Sequence, residues 1–331
     1  MSEHTEHQFP EATYHDLLGL RDDKDLLFAD QVVSALQKID RGLLPPAAAH
    51  PLGHLIAQGQ AALPRLLDLV EAGTDREQLD AMDAMAHILL NEPMPASLLP
   101  RLRHQLELDQ TPERLALVTK CLAIGRDQAF LLKQVRLLAD PDPGVVATAA
   151  RLLGLGRFTP ALPVLTELVS PERVYESRYV IWALGEMGRR EALPVLEFSL
   201  GNAFRIVDCV IALGKIGDLT SIPRITPILL EGLPDQRDAG YRALAMILDL
   251  HRDVVPAIPD LGKELGGLIK AQFADDTLAL SGSTRFHMCL CLARLGLKLD
   301  AGTVRRYLKI ELEDGEAGGM ASYFMRRKGK K

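Results

Sequence analysis

Few residues in this chain have the type and spacing that chemistry needs. His50 and His54 stand four apart, the spacing that sets two imidazoles on one helix face as metal ligands. Pro51, between them, starts a helix and leaves His50 at its cap, and neither an HExxH motif nor a nearby carboxylate completes a site. Cys121, Cys209, Cys289 and Cys291 form no CxxC pair and sit among apolar neighbours, so they read as small buried hydrophobes. Cys289 and Cys291 lie two apart on a helix, point to different faces and make no local disulfide. There is no GxSxG, and no cysteine has an adjacent histidine. Gly154-Leu155-Gly156 and Gly266-Gly267 are helix ends or turns rather than a GxxxxGK[ST] phosphate loop. No catalytic, cofactor-binding or metal-binding residue is therefore assigned, and a protein that is not an enzyme is expected. The remaining chemistry is that of recognition. Asp80, Asp83 and His87 form an acidic strip along one helix face, either a solvated face or a pocket for a basic partner. At the far end, Arg326-Arg327-Lys328-Gly329-Lys330-Lys331 puts five basic residues in six, directly after Tyr323-Phe324-Met325.

The elements that position these groups follow from composition and repeats. The 331 residues are 47% hydrophobic and 25% charged, which excludes a chain disordered throughout. Thirty-eight basic against 44 acidic residues give −6, which argues against a generally basic nucleic-acid binder and leaves only a local patch. Aromatics at 5%, with one Trp, argue against a large β-sandwich or barrel. The longest uncharged stretch, Gly42 to Pro64, is broken by Pro45, Pro46 and Pro51 and cannot be a membrane helix. The acidic start Met1-Ser2-Glu3-His4 shows no secretory signal, and a cytoplasmic protein is expected.

Three segments repeat one pattern of small and apolar residues ending in glycine: Ala149–Gly156, Val180–Gly188 and Cys209–Gly217. Each is followed by a Pro-bearing apolar run, at Ala161-Leu162-Pro163, Ala192-Leu193-Pro194 and Ser221-Ile222-Pro223. With the first Gly as a register mark, Gly154, Gly185 and Gly214 are 31 and 29 apart, and Ala245 lies 31 further on. Ala123 lies 31 earlier, with fainter marks at Ala86 and Ala57. Ala293 restores the pattern 48 residues after Ala245, so an irregular element is expected near Val254 to Phe273. Each unit of about 30 residues reads as two helices, because apolar residues recur with the helical period. Pro opens the second helix, and Gly at the end of the first run is expected to stop it by entering the left-handed region. Such a pair cannot bury its own apolar face, so the units must stack.

The pattern of Ala183-Leu184-Gly185-Glu186-Met187-Gly188 and Ala212-Leu213-Gly214-Lys215-Ile216-Gly217, with the following Pro helices, resembles the HEAT-repeat family, in particular its short bacterial PBS-lyase HEAT-like type. The resemblance is strong over 140–250 and extends over 47–300. It implies an all-α, right-handed α-solenoid of about seven to eight helical-pair repeats. The chain departs from that type by lacking the Val-Arg pair that commonly opens the inner helix; Val145-Val146 and Glu176-Ser177 stand there. HEAT-like hydroxylases bind iron through His-Glu pairs, and this chain has no His-Glu dipeptide. Nothing marks a chromophore-lyase bilin site either.

In the resembled fold the helix ending in Ala-Leu-Gly lines a concave ridge. Residues three before each mark (His54, Asp83, Lys120, Arg151, Trp182, Ile211, Arg242, Leu290) should face outward there, with those six before (Asp80, Leu117, Thr148, Tyr179, Asp208, His287). Tyr179 and Trp182, with Arg178, Arg151, Asp208 and Arg242 around them, have the composition of a binding hot spot; the alternative for Trp182 is simple packing between adjacent helices. The expected organisation is an acidic N-terminal segment and capping helix over 1–46 (helix 24–39), the repeat array over 47–312, and a Gly-rich linker with a basic tail over 313–331. The expected role is a scaffold or adaptor that binds a protein partner along the ridge. Two alternatives stand beside it: a factor that meets nucleic acid or an anionic surface through Tyr323, Phe324, Arg326, Arg327 and Lys328, or a subunit or regulator of an enzyme.

Overall fold

The computed structural model describes residues 26–27, 50–108, 111–170, 174–201, 205–255, 258–275, 278, 280–297, 299–300 and 303. Among these the chain is helical apart from one two-residue antiparallel pair. The chain divides into two compact units, one within Gly42–Val195 and one within Leu196–Met325, which also takes in Leu26–Leu27.

The first unit holds α1 (Gly53–Ile56), α2 (Leu63–Ala72), α3 (Asp75–Leu89), α4 (Leu99–His104), α5 (Pro112–Ile124), α6 (Gln128–Leu137), α7 (Pro143–Leu155), α8 (Leu162–Leu168) and α9 (Val174–Met187). Helices α3, α5, α7 and α9 form a row in which each packs on the next. Helices α2, α6 and α8 pack beside α3, α7 and α9, as a second layer. Helix α10 (Leu193–Ser199) crosses the division. The second unit repeats the plan. Helices α11 (Ile206–Ile216), α13 (Pro234–Leu250) and α15 (Gly282–Arg294) form the row, with α12 (Ile222–Glu231) beside α13 and α14 (Pro259–Ala274) beside α15. Between the layers lie Leu66, Leu67, Met85, Leu122, Leu153, Leu184, Leu213, Leu244 and their neighbours, all fully buried.

The marks from Ala86 to Ala293 fall in the row helices: Ala86 in α3, Ala123 in α5, Gly154 in α7, Gly185 in α9, Gly214 in α11, Ala245 in α13 and Ala293 in α15. The left-handed stop expected of the glycine that ends each run is found at Gly188 and Gly217 and not at Gly156, whose φ is −74°. Gly154 and Gly214 lie inside their helices, where the next helix of the row crosses closest. A Cβ on Gly154 would sit 2.7 Å from Ala183 Cα, and one on Gly214 would sit 2.5 Å from Ala243 Cα. These glycines set the approach of backbones and do not end helices.

The left-handed stop lies three residues after the mark. Gly188, Gly217 and Gly296 have φ of 63°, 73° and 77°. At the equivalent place in the two preceding turns stand Arg126, at 58°, and Arg157, at 49°. After the left-handed residue the chain makes a short 3₁₀ turn at Thr159–Ala161, Arg190–Ala192 and Leu219–Ser221. Pro163 and Pro223 then sit in the first turns of α8 and α12, where a missing N–H costs nothing. The row helices are capped by Thr74, Thr111, Asp142 and Ser281. Asp127, fully buried, accepts from the amides of Ala129 and Phe130 at the head of α6 and takes a two-pronged ion pair from Arg103. Burial raises its carboxyl, but Arg103 and the amides outweigh this and hold it below the usual range.

Two further expectations are corrected. The segment near Val254 to Phe273 is mostly regular helix, α14, and the 48-residue interval reflects longer helices together with longer connections before and after α14. Leu26–Leu27, placed by the sequence in a capping helix, form β1, which pairs antiparallel with β2 (Leu299–Asp300), Leu26 opposite Asp300. Extended backbone at both places exchanges hydrogen bonds that a helix over 24–39 would have made internally. The rest of that helix and the segment 313–331 lie outside the described residues.

A non-glycine residue in the left-handed region carries a cost of about 1 kcal/mol. Arg126→Gly should stabilise the fold by about that amount, raising Tm by about 2–4 °C in thermal unfolding. Gly154→Ala should destabilise it by about 1–3 kcal/mol, because the crossing backbone cannot yield.

Candidate partner-binding cleft

The row helices of the first unit bring the two ridge columns together. A cleft of about 410 Å³ opens where α5, α7 and α9 meet, lined by Leu117, Lys120, Thr148, Arg151, Leu155 and Tyr179 among others. Lys120 and Arg151 are the residues three before their marks, and Leu117, Thr148 and Tyr179 are those six before. Helical spacing sets each pair on one face of its helix, and row packing lines the faces up. Arg151 is exposed and Tyr179 half-buried. Thr148 donates its hydroxyl back to Gly144 O (2.9 Å), so its methyl remains for contact. Lys120 Nζ lies 3.6 Å from Asp83 Oδ1. The cleft thus offers a cationic arm, a phenol and an aliphatic floor, a set suited to holding a peptide side chain and its backbone.

Trp182 stands apart from this arrangement. Its ring packs against Gly154: a Cβ there would meet Trp182 Cζ3 at 2.9 Å. The tryptophan is half-buried and spends one face on the α7–α9 crossing, while Arg178 beside it is exposed. Asp208, on α11, is half-buried with Arg205 Nη1 3.6 Å away, and Arg242 lies half-buried on α13. Both belong to the second unit. Tyr323, Phe324, Arg326, Arg327 and Lys328 lie outside the described residues.

The strip on α3 is less acidic than its sequence suggests, because each carboxylate is matched by a cation. Asp80 accepts from Arg76 Nε at 3.2 Å. Asp83 faces Lys120 and two imidazoles, with His50 Nε2 and His87 Nδ1 each 3.6 Å from Oδ2. His87 Nδ1 also contacts Asp83 O at 2.9 Å, and His50 Nδ1 accepts from Leu52 N at 3.0 Å. The histidine that shares a neighbourhood with His50 is therefore His87, with ring centroids 6.0 Å apart. His54, four residues on, is exposed. Residues 37 apart carry no local signal, and only the packing of α1 on α3 joins them. Among the described residues no group of three His, Cys, Asp or Glu is placed to hold a metal ion.

The outward columns fail at α15. His287 and Leu290 are buried, because α15 is packed on α13 and α14. His287 Nδ1 lies 3.8 Å from Asp238 Oδ1, which also accepts from Thr284 Oγ1 at 2.8 Å. Burial raises the Asp238 carboxyl, yet His287 and Thr284 bring it below its ordinary range.

All four cysteines are buried and free. Burial pushes the thiols of Cys121, Cys209 and Cys289 up to about 12, and that of Cys291 well above its ordinary value. A protonated, buried thiol is a poor nucleophile. Ellman's reagent should therefore label the folded protein slowly and label all four cysteines after denaturation. Fast labelling of the native protein would show that a helix row opens. Among the described residues, no helix is long and apolar enough to cross a membrane.

No family model matches the chain. The chain is similar to the CC-adding tRNA nucleotidyltransferase of Deinococcus radiodurans, 34% identical over 106 residues, which is 32% of this chain and 28% of that protein. The chain therefore spans less than a third of that relative. Among solved structures it is similar to the complex of CpcE and CpcF of phycocyanin lyase from Nostoc sp. PCC7120, at TM-score 0.40 and 15% identity, covering 69% of this chain and 93% of that one. An engineered protein gives TM-score 0.36 and 16% identity, over 92% of this chain and 83% of the other.

Proposed function

We propose that this protein is a non-enzymatic scaffold or adaptor, a right-handed HEAT-like solenoid of seven to eight helical pairs, that binds a protein partner along its row helices. The observation that carries this reading is the convergence of Lys120, Thr148, Arg151 and Tyr179, from three consecutive row helices, on one cleft. Repeat surfaces recognise partners by summing contacts from successive units, and this cleft has that construction. Free cysteines suit a reducing cytoplasm.

A second reading is favoured by the 106-residue similarity to a tRNA nucleotidyltransferase: association with RNA, with the basic residues Arg326, Arg327 and Lys328 as the electrostatic contact.

Capture of partners by the full chain, with mass-spectrometric identification, separates the two. For the scaffold reading, Tyr179→Ala should weaken binding of the captured protein by about 2 kcal/mol, roughly thirtyfold, at unchanged Tm. Trp182→Ala should instead lower folding stability by about 3 kcal/mol, because its ring fills the α7–α9 crossing. A partner bound equally well by Tyr179→Ala and Arg151→Ala would remove the cleft from the interface.

A further inference from the structure

A second cleft, of about 480 Å³, lies where the turns that leave α5, α7 and α9 come together. It shares no lining residue with the cleft on the row helices. Three arginines line it, one from each turn: Arg126, Arg157 and Arg189. Arg126 and Arg189 are exposed and Arg157 is half-buried. Gln128, Thr159 and Pro160 fill the spaces between, and among the described residues no carboxylate lines the cleft.

Two of these arginines occupy the left-handed position that glycine takes in the next turns, at Gly188, Gly217 and Gly296. The fold needs only a residue that tolerates that conformation, and arginine tolerates it poorly. Strained backbone concentrates where a side chain is held for a purpose other than stability. At both positions that side chain is a cation aimed along the same edge.

We propose that this cleft binds an acidic segment of a protein partner, its carboxylates engaged by the exposed guanidinium forks of Arg126 and Arg189. Guanidinium pairs with carboxylate through two parallel hydrogen bonds, and Gln128 and Thr159 supply groups for the peptide backbone between. Nucleic acid fits the cleft less well. Three cations release about three counterions, a small share of what salt-resistant binding requires. The cleft presents no aromatic face for base stacking, since Phe158, its one aromatic, is 4% exposed. Residues 1–30 carry 2 − 8 = −6, the whole of the chain's net charge, so residues 31–331 sum to zero and supply no wider basic field.

The test uses the full chain, a fluorescent octaglutamate peptide and anisotropy at low and physiological salt. The wild-type protein should bind the peptide. The double variant R126G/R189Q should bind it at least about tenfold more weakly, while R126G alone melts higher, so that lost binding is not lost folding. R189Q should weaken binding in the same direction, and Tyr179→Ala should leave it unchanged, which separates this site from the one on the row helices. Absence of peptide binding by the wild type, or an unchanged affinity in R126G/R189Q, would overturn the proposal. So would an oligouridylate RNA that binds more tightly than the peptide and is released by the same two substitutions.

Discussion

The closest approach of two successive row helices is the constraint from which the rest follows. At Gly154 against Ala183, and at Gly214 against Ala243, there is no room for a Cβ. A small residue there sets the separation of neighbouring helices, and with it the register in which their faces meet. Because each helix is held in the same register, the residues three and six positions before the mark come together from α5, α7 and α9. The turn chemistry is counted from the same point. The left-handed residue comes three later, then a 3₁₀ turn, then a helix begun by proline. One steric requirement thus places both the row face and the turn edge.

Charge is handled locally. Asp127 is buried with Arg103 and two backbone amides, and Asp249 is buried with Arg294. A buried carboxylate left alone would cost several kcal/mol, so these pairs are conditions for packing rather than sources of stability. Asp83 collects Lys120, His50 and His87 in the same spirit, at partly exposed positions. Arg126 and Arg189, exposed at the turn edge, are the cations that this local matching does not explain.

The helical repeat was legible because its marks recur about every 30 residues and the apolar period between them is helical. One residue type serves two ends here. A glycine near a helix end can mean a left-handed stop or a close crossing, and the sequence does not distinguish Gly154 from Gly188. Arg126 and Arg157 were invisible as left-handed residues, since only glycine advertises that conformation. The cleft was half legible. Arg151 and Tyr179 were singled out, while Lys120 and Thr148 stood in the right columns without being chosen. Trp182 drew attention by size, yet whether a large aromatic packs or protrudes depends on the neighbouring helix, here on the missing side chain of Gly154. The partnership of His50 with His87 depends on two segments meeting in space, and no local pattern records it.

The pairing of Leu26–Leu27 with Leu299–Asp300 has a consequence for the order of events during synthesis. Among the described residues, the main helix-to-helix contacts join elements next to or one removed from each other in the chain, so a nascent array can add helix to helix as it emerges. This one joins residues more than 270 positions apart. Closing such a loop in an unfolded chain costs on the order of 5 kcal/mol, more than two residues per strand can return. The two strands therefore pair late, once the intervening helices have folded and shortened the loop between them.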